Sequence, residues 1–273
     1  MAGRITRPLR HNGIPYKGIN VVMLWSAAVT KGYACPFWLT FRQALELGGH
    51  VRKGETGELV VFASSITRTE TDDKGAEQER EIPFLKGYTV FNAEQCDDLP
   101  AHFSAKAEPP PLPPLQRIEA ADRFFAATGA IIRHGGTRAF YAEGSDHIQM
   151  PPFETFRDAE SYAATLAHEC VHWTKHEKRL ARDFGRVRWG DEGYAKEELV
   201  AELGSAFLCA DLAITPEVRD DHASYIASWL KALKDDKRLI FTAAAHAQRA
   251  VDHLHGLQPK TDEAETTEEP AAA

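Results

Sequence analysis

Two stretches of this chain carry polar residues four apart inside apolar helical patterns, and together they constrain its fold more than any other feature. The first is Thr155–Lys175, TFRDAESYAATLAHECVHWTK, with apolar residues at Phe156, Ala159, Tyr162, Ala163, Leu166, Ala167, Cys170 and Val171. That spacing predicts one helix over 155–175. Residues four apart on a helix lie one above the other, so His168 and His172 can aim both imidazoles at one point. Their neighbours Leu166, Ala167, Cys170, Val171 and Trp173 are uncharged, which places the helix in a core. Imidazoles and an acid buried there are costly unless partnered. A metal ion answers that need: His168 and His172 are the expected ligands, and Glu169 the expected general base toward water.

A zinc centre that does chemistry takes three protein ligands and leaves one position open. The third is expected from the second stretch, EELVAELGSAFL at Glu197–Leu208. Glu198 and Glu202 share one face of that helix, and Glu197 is turned away by about 100°. Glu198 is the expected third ligand. Glu202 is expected behind it, orienting a ligand His through its ring N–H, or as the alternative ligand. Small Ala201, Gly204 and Ser205 would let the two helices approach closely. Tyr194, one turn before Glu198, is a candidate for polarising a substrate carbonyl. His176 continues the series but sits among Lys175, Glu177 and Lys178, so the surface is expected for it, as for His246, His253 and His255.

HECVH and ELVAE resemble the zincin metallopeptidases whose third ligand is a Glu, the gluzincin pattern. Thr174 departs from the apolar residue often found at its position. The resemblance implies an edge strand beside the metal helix for an extended substrate, with Asp146–Gln149 the best candidate. Zn2+ is the default ion, although Mn2+ or another divalent ion also suits two His and a carboxylate.

A proline run, Glu108–Leu115, reads as a stiff extended linker. It divides an expected domain at 1–107 from one at 116–257, and the acidic, apolar-poor residues 258–273 read as a disordered tail. Four cysteines without C-x-x-C spacing suggest reduced thiols. The basic N-terminus lacks the apolar stretch of a signal peptide, and no apolar run approaches the roughly 20 residues that span a membrane. A cytoplasmic protein with no membrane partner is expected. No internal repeat is evident.

The net charge is −8, yet residues 1–68 carry nine Lys and Arg against three Glu. That asymmetry is expected of a module that binds a polyanion. The segment reads as α+β, with a helix at 16–30 (Ile19, Val22, Met23 and Trp25–Ala28 inward), a second at 40–47, and strands at Val51, 58–63 and 83–91. Residues 67–81 read as a long flexible loop. Bases interleave with aromatics, as in surfaces that track phosphate and stack bases of single strands. The stacking candidates are Tyr16, Tyr33 and Trp38, and the phosphate candidates Lys17, Arg42, Arg52 and Lys53; core packing is the competing reading of each aromatic. Beyond the linker, a helix at 115–128 and short strands near 131–133, 138–141 and 147–149 precede the metal helix, and helices at 216–234 and 235–254 follow.

PYKGIN at Pro15–Asn20, WLTFRQA at Trp38–Ala44, GGHVRKGE at Gly48–Glu55, YTVFN at Tyr88–Asn92, HECVHWT and GDEGYAKEELVAELGSAFL together resemble the ArdC-type antirestriction proteins. These are plasmid-encoded and related to the C-terminal part of TraC-type primases. The resemblance runs from about residue 4 to 255. It implies an α+β protein joining a single-stranded-DNA-binding domain to a minimal zincin-like domain, and a role in protecting incoming plasmid DNA from host restriction enzymes. A DNA-dependent protease acting on DNA-bound proteins and a non-enzymatic binding module with a structural metal are the alternatives.

Overall fold

The computed structural model describes residues 6–71, 77–104, 114–185, 192–214 and 238–259. The N-terminal half is a four-stranded sheet in the order β1-β2-β5-β4, built from β1 (Leu9–Arg10), β2 (Phe37–Thr40), β4 (Glu58–Thr71) and β5 (Glu77–Asn92). Helix α1 (Ile19–Lys31) lies on one face, burying Val21, Leu24 and Ala27 against Trp38, Val60 and Val90. The expected inward side was a residue out of phase. Val22, Trp25 and Ala28 are half-buried because α1 is also covered from its other flank by the C-terminal half. Helix α2 (Phe41–Glu46) begins at a capping box, Thr40 with Gln43, and ends where Gly48 turns with φ +85°, a conformation natural only to glycine. A second small core of Cys35, Leu39, Ala93 and Phe103 closes this end with β3 (His50–Val51), β6 (Cys96–Asp97) and α3 (Ala101–Ser104).

The expected loop at 67–81 is mostly sheet. β4 and β5 stay in antiparallel register out to Thr71 and Glu77, with only the turn at 72–76 outside the described residues. TRTET and EQERE carry no apolar alternation, the signal that marks a half-buried strand, while β-branched Thr still favours a pleated backbone.

In the C-terminal half, α4 (Pro114–Ala127) takes in the last two residues of the expected linker; the rest of that linker lies outside the described residues, as do the 216–234 helix and all of the tail beyond Pro259. Strands β7 (Ile131–His134), β8 (Phe140–Ala142) and β9 (His147–Met150) form a sheet in the order β7-β9-β8. β9 is therefore the centre strand, parallel to β7 and antiparallel to β8. The expectation that 146–149 offers a free edge fails; β7 and β8 hold the edges. Their brevity hid the sheet order, since three or four apolar residues do not say which strand lies between the others.

Helix α5 (Ala159–Trp173) packs on this sheet, and α6 (Glu192–Asp211) and α7 (Leu239–Gly256) pack against α5 and against each other. Asp158 caps α5 by accepting from the Ser161 N–H at 2.6 Å, so the helix starts four residues later than its apolar pattern suggested.

One hydrophobic core runs through both halves, from Val21 and Trp38 to Leu166, Phe207 and Leu254. Arg7 bridges them. Its guanidinium, buried with its Cζ 4.6 Å from the Phe207 ring centre, donates to Asp211 at 2.7 and 3.2 Å and to Gln248 Oε1 at 3.3 Å. Gln248 Oε1 also accepts from the Gly18 N–H at 3.1 Å, and Lys17 pairs with Asp252 at 3.1 Å.

Candidate metal centre

α5 and α6 approach closely because Gly204 faces Val171: a Cβ at Gly204 would lie 2.8 Å from Val171 Cγ2. Ser205 adds a hydrogen bond across the crossing, from Oγ to the Ala164 carbonyl at 3.1 Å. At this spacing the carboxylate of Glu198 reaches both imidazoles. His168 Nε2 and His172 Nε2 are 3.1 Å apart, and Glu198 oxygens lie 3.6 and 3.5 Å from them. A tetrahedral ion bound at about 2.0–2.1 Å sets its ligand atoms roughly 3.3–3.4 Å apart, so these atoms stand where one divalent ion could be shared. Among the described residues this is the one group of three His, Cys, Asp or Glu side chains so arranged.

The outward nitrogens face acids. His168 Nδ1 lies 3.6 Å from Glu202, the residue expected behind it. His172 Nδ1 donates at 3.0 Å to Glu197, which was expected to turn away. A 100° rotation about α6 does not remove a three-bond side chain from an imidazole lying against that helix, and Glu197 and Glu198 straddle the His172 ring. Arg182 then grips Glu197 through Nε at 2.8 Å and Nη2 at 2.7 Å. Neither Glu197 nor Arg182 was among the expected site residues. Two adjacent acids on a helix facing a ligand His were the available signal for the first; nothing in the spacing pointed to the second.

Burial disfavours the charged forms here, and the ion pairs outweigh it. Burial alone would lower the His172 pKa, but Glu197 and Glu198 raise it to about 10. Burial would likewise raise Glu198, whereas His168 and His172 hold it well below the usual carboxylate range. Glu197 is brought to about 2 by Arg182 and His172 against the same burial penalty.

Glu169 is buried on α5, with no hydrogen-bond or ion-pair partner among the described residues. Tyr194 is half-buried near the start of α6. His176 does not stay at the surface as expected. The chain folds back after Thr174, with the Leu180 N–H on the Thr174 carbonyl at 3.1 Å, and buries the ring. His246 and His253 are half-buried rather than on the surface, and His255 is exposed. A cavity of about 210 Å3 opens beside Lys175, Arg182 and Glu197, but neither imidazole lines it.

The N-terminal candidates fare differently. Trp38 and Tyr16 are 1% and 7% exposed, so the expected stacking faces lie in the core. Trp38 points from β2 toward α1, and burial pushes the Tyr16 hydroxyl up to about 12. Tyr33 is half-buried, its ring edge-on to Trp38 at 5.8 Å. Arg42 pairs with Glu46 at 2.8 Å, and Arg52 with Glu55 at 2.9 Å and Asp97 at 3.3 Å. Lys53 is exposed, with no ion-pair partner among the described residues.

Comparison with known proteins places this geometry. Residues 1–91 match the N-terminal domain of anti-restriction factor ArdC, and residues 119–246 match a zincin-like metallopeptidase domain. The crystal structure of the metal-free antirestriction protein ArdC from plasmid R388 superimposes with a TM-score of 0.76 at 51% identity, over 92% of this chain and 88% of that one. The chain belongs to the ArdC family of antirestriction proteins. An Mn(II)-bound structure of the R388 ArdC matches equally, with a TM-score of 0.76 at 50% identity over 93% of this chain and 90% of that one. The uncharacterized protein y4eC of Sinorhizobium fredii is 47% identical over 89% of this chain and 78% of its own length. A DNA primase TraC of Escherichia coli is 38% identical over 94% of this chain, which spans only 24% of that longer protein. The chain joins the ArdC N-terminal domain to a zincin-like one. No helix among its described residues is long and apolar enough to cross a membrane.

Proposed function

We propose that this protein binds single-stranded DNA in the cytoplasm and protects incoming conjugative plasmid DNA from host restriction, with a divalent-metal centre of peptidase type in its C-terminal half. The observation that carries the metal centre is the convergence of His168, His172 and Glu198 at ligand spacing. Zinc is the expected ion, and the manganese in one solved ArdC structure suits the same donors. Such an ion supplies Lewis acidity, polarising a carbonyl and acidifying water. Glu169, buried beside His168 and unpartnered, takes the proton from water and returns it to the leaving amine. Tyr194 donates to the substrate carbonyl oxygen, and Glu202 steadies His168 from its Nδ1 side. An extended substrate pairs with the free edge of β8. The domain boundary is proposed at the proline run.

The DNA half of the reading rests on family membership and on the basic residues 1–68. Lys17, Arg42, Arg52 and Lys53 are its proposed phosphate contacts and Tyr33 its proposed stacking ring. Binding of the full chain to single- and double-stranded DNA across a salt series tests it. Steep salt dependence with a strong single-strand preference is expected; equal affinity for both forms would sink it. Glu169→Ala should retain metal and lose cleavage. If plasmid protection survives in that variant, protection comes from binding alone.

The carboxylate of Glu169, buried and with no hydrogen-bond or ion-pair partner among the described residues, favours a second reading, a protease that acts on a restriction enzyme or another DNA-bound protein. Cleavage of such a protein only in the presence of single strands is its test.

A further inference from the structure

Glu197 and Arg182 have no part in the function proposed above, yet they are among the most enclosed charged side chains near it, 4% and 1% exposed. Their connections explain why. Glu197 can only accept, so its 3.0 Å contact with His172 Nδ1 requires the proton on Nδ1, and in the neutral ring that a metal needs the lone pair is then on Nε2, facing His168 and Glu198. Arg182 fixes the carboxylate with a two-pronged grip, and its remaining donors go to α5. Nη1 reaches Thr174 Oγ1 at 3.0 Å and Nη2 the Val171 carbonyl at 2.9 Å. That carbonyl, in the last turn of α5, also accepts from the Thr174 hydroxyl at 2.6 Å, so hydroxyl and guanidinium converge on it. Thr174, which replaces the apolar residue common at its place in gluzincins, here supplies the oxygen that receives the guanidinium.

The arrangement ties α6, the turn after Thr174 and the end of α5 to one imidazole. The cation also offsets the Glu197 charge, so a carboxylate can sit behind His172 without adding a net negative charge to the core. Lysine could not replace it, because four acceptors are met by one planar fork. The acid at the Nδ1 of His168, Glu202, is farther off, at 3.6 Å.

We propose that Glu197 and Arg182 are positioning residues of the metal centre, holding His172 in the Nδ1–H tautomer and at the angle that presents Nε2 to the ion. This rests on the metal reading above. The test is Co(II) uptake by the full chain, followed by visible absorption and by competition with a chelator. Glu197→Ala should weaken binding about 10–100-fold and alter the Co(II) spectrum. Glu197→Gln, which keeps an acceptor oxygen, should recover most of that loss, and Arg182→Lys should fall between. If removing one charge unfolds the chain, the double variant Glu197→Met with Arg182→Met leaves no buried charge unpaired and should show the same weakened uptake. Wild-type affinity and spectrum in folded Glu197→Ala or in the double variant would overturn the proposal. Absence of Co(II) uptake by the wild type would overturn the metal reading and this proposal with it. Uptake abolished by His172→Ala but untouched by the Glu197 variants would overturn this proposal alone.

Discussion

The two halves of this molecule treat charge in opposite ways. Around α5 and α6, His172, Glu197, Glu198 and Arg182 are buried and partnered with one another. In the N-terminal half, Arg42 and Arg52 lie at the surface against Glu46, Glu55 and Asp97, and Trp38 and Tyr16 are inside. An exposed pair contributes roughly 0–1 kcal/mol, whereas stripping one partner from a buried pair costs about 3–5 kcal/mol. A metal centre is thus concentrated in a few residues that cannot be exchanged. A nucleic-acid surface is a sum of weak contacts, each replaceable.

That contrast can be broken by experiment. The largest effect expected is from His172→Ala, which should reduce divalent-metal affinity more than about 100-fold and leave single-stranded DNA binding intact. Calorimetric titration with metal and with an oligonucleotide reads both; joint loss would mean the halves are not functionally distinct. Next comes Arg7→Ala, which leaves Asp211 with only His255, at 3.1 Å, as its ion-pair partner among the described residues and should cost about 3 kcal/mol in urea denaturation. Because one core joins the halves, the wild type should unfold in a single transition, and two separated transitions would contradict that continuity. Gly204→Ala should follow at about 1–3 kcal/mol, since its Cβ collides with Val171. Adding Val171→Ala should return part of that loss if the collision is its cause.

The smallest effect concerns acid. Asp146, held to about 2 by Arg179 and Tyr141 against burial, has a folded pKa below its unfolded value of about 3.9. Its stabilising contribution is complete above pH about 4 and disappears as pH falls toward 2. Asp146→Asn should therefore be less stable than wild type at neutral pH, with the gap closing below pH about 2. A gap constant with pH would assign the difference to packing.

Much of the metal half was legible because its pattern is local. Four-residue spacing on α5 and on α6 puts His168, His172 and Glu198 on facing surfaces, and Gly204 announces the close crossing. Arg182 was not legible because a turn, not a period, carries it back to the site. Glu197 was misjudged because helical phase locates a Cα and not the end of a flexible carboxylate. In the other half, aromatics interleaved with bases describe a stacking surface and a sheet packed on a helix equally well. Trp38 and Tyr16 went to the core because β2 and α1 had to be covered from within. The ribbon at 67–71 and 77–81 escaped notice since its sequence lacks the apolar alternation that marks a strand.

Arg7 carries a consequence for inheritance. Its pocket is assembled from Phe207, Asp211 and Gln248, all on the far side of the proline run from Arg7 itself. A chimera spliced at that run from two diverged relatives would put one parent's guanidinium into the other parent's socket. Recombination between such genes is therefore not free to trade the two halves as cassettes. The first few residues and the last helix have to descend together.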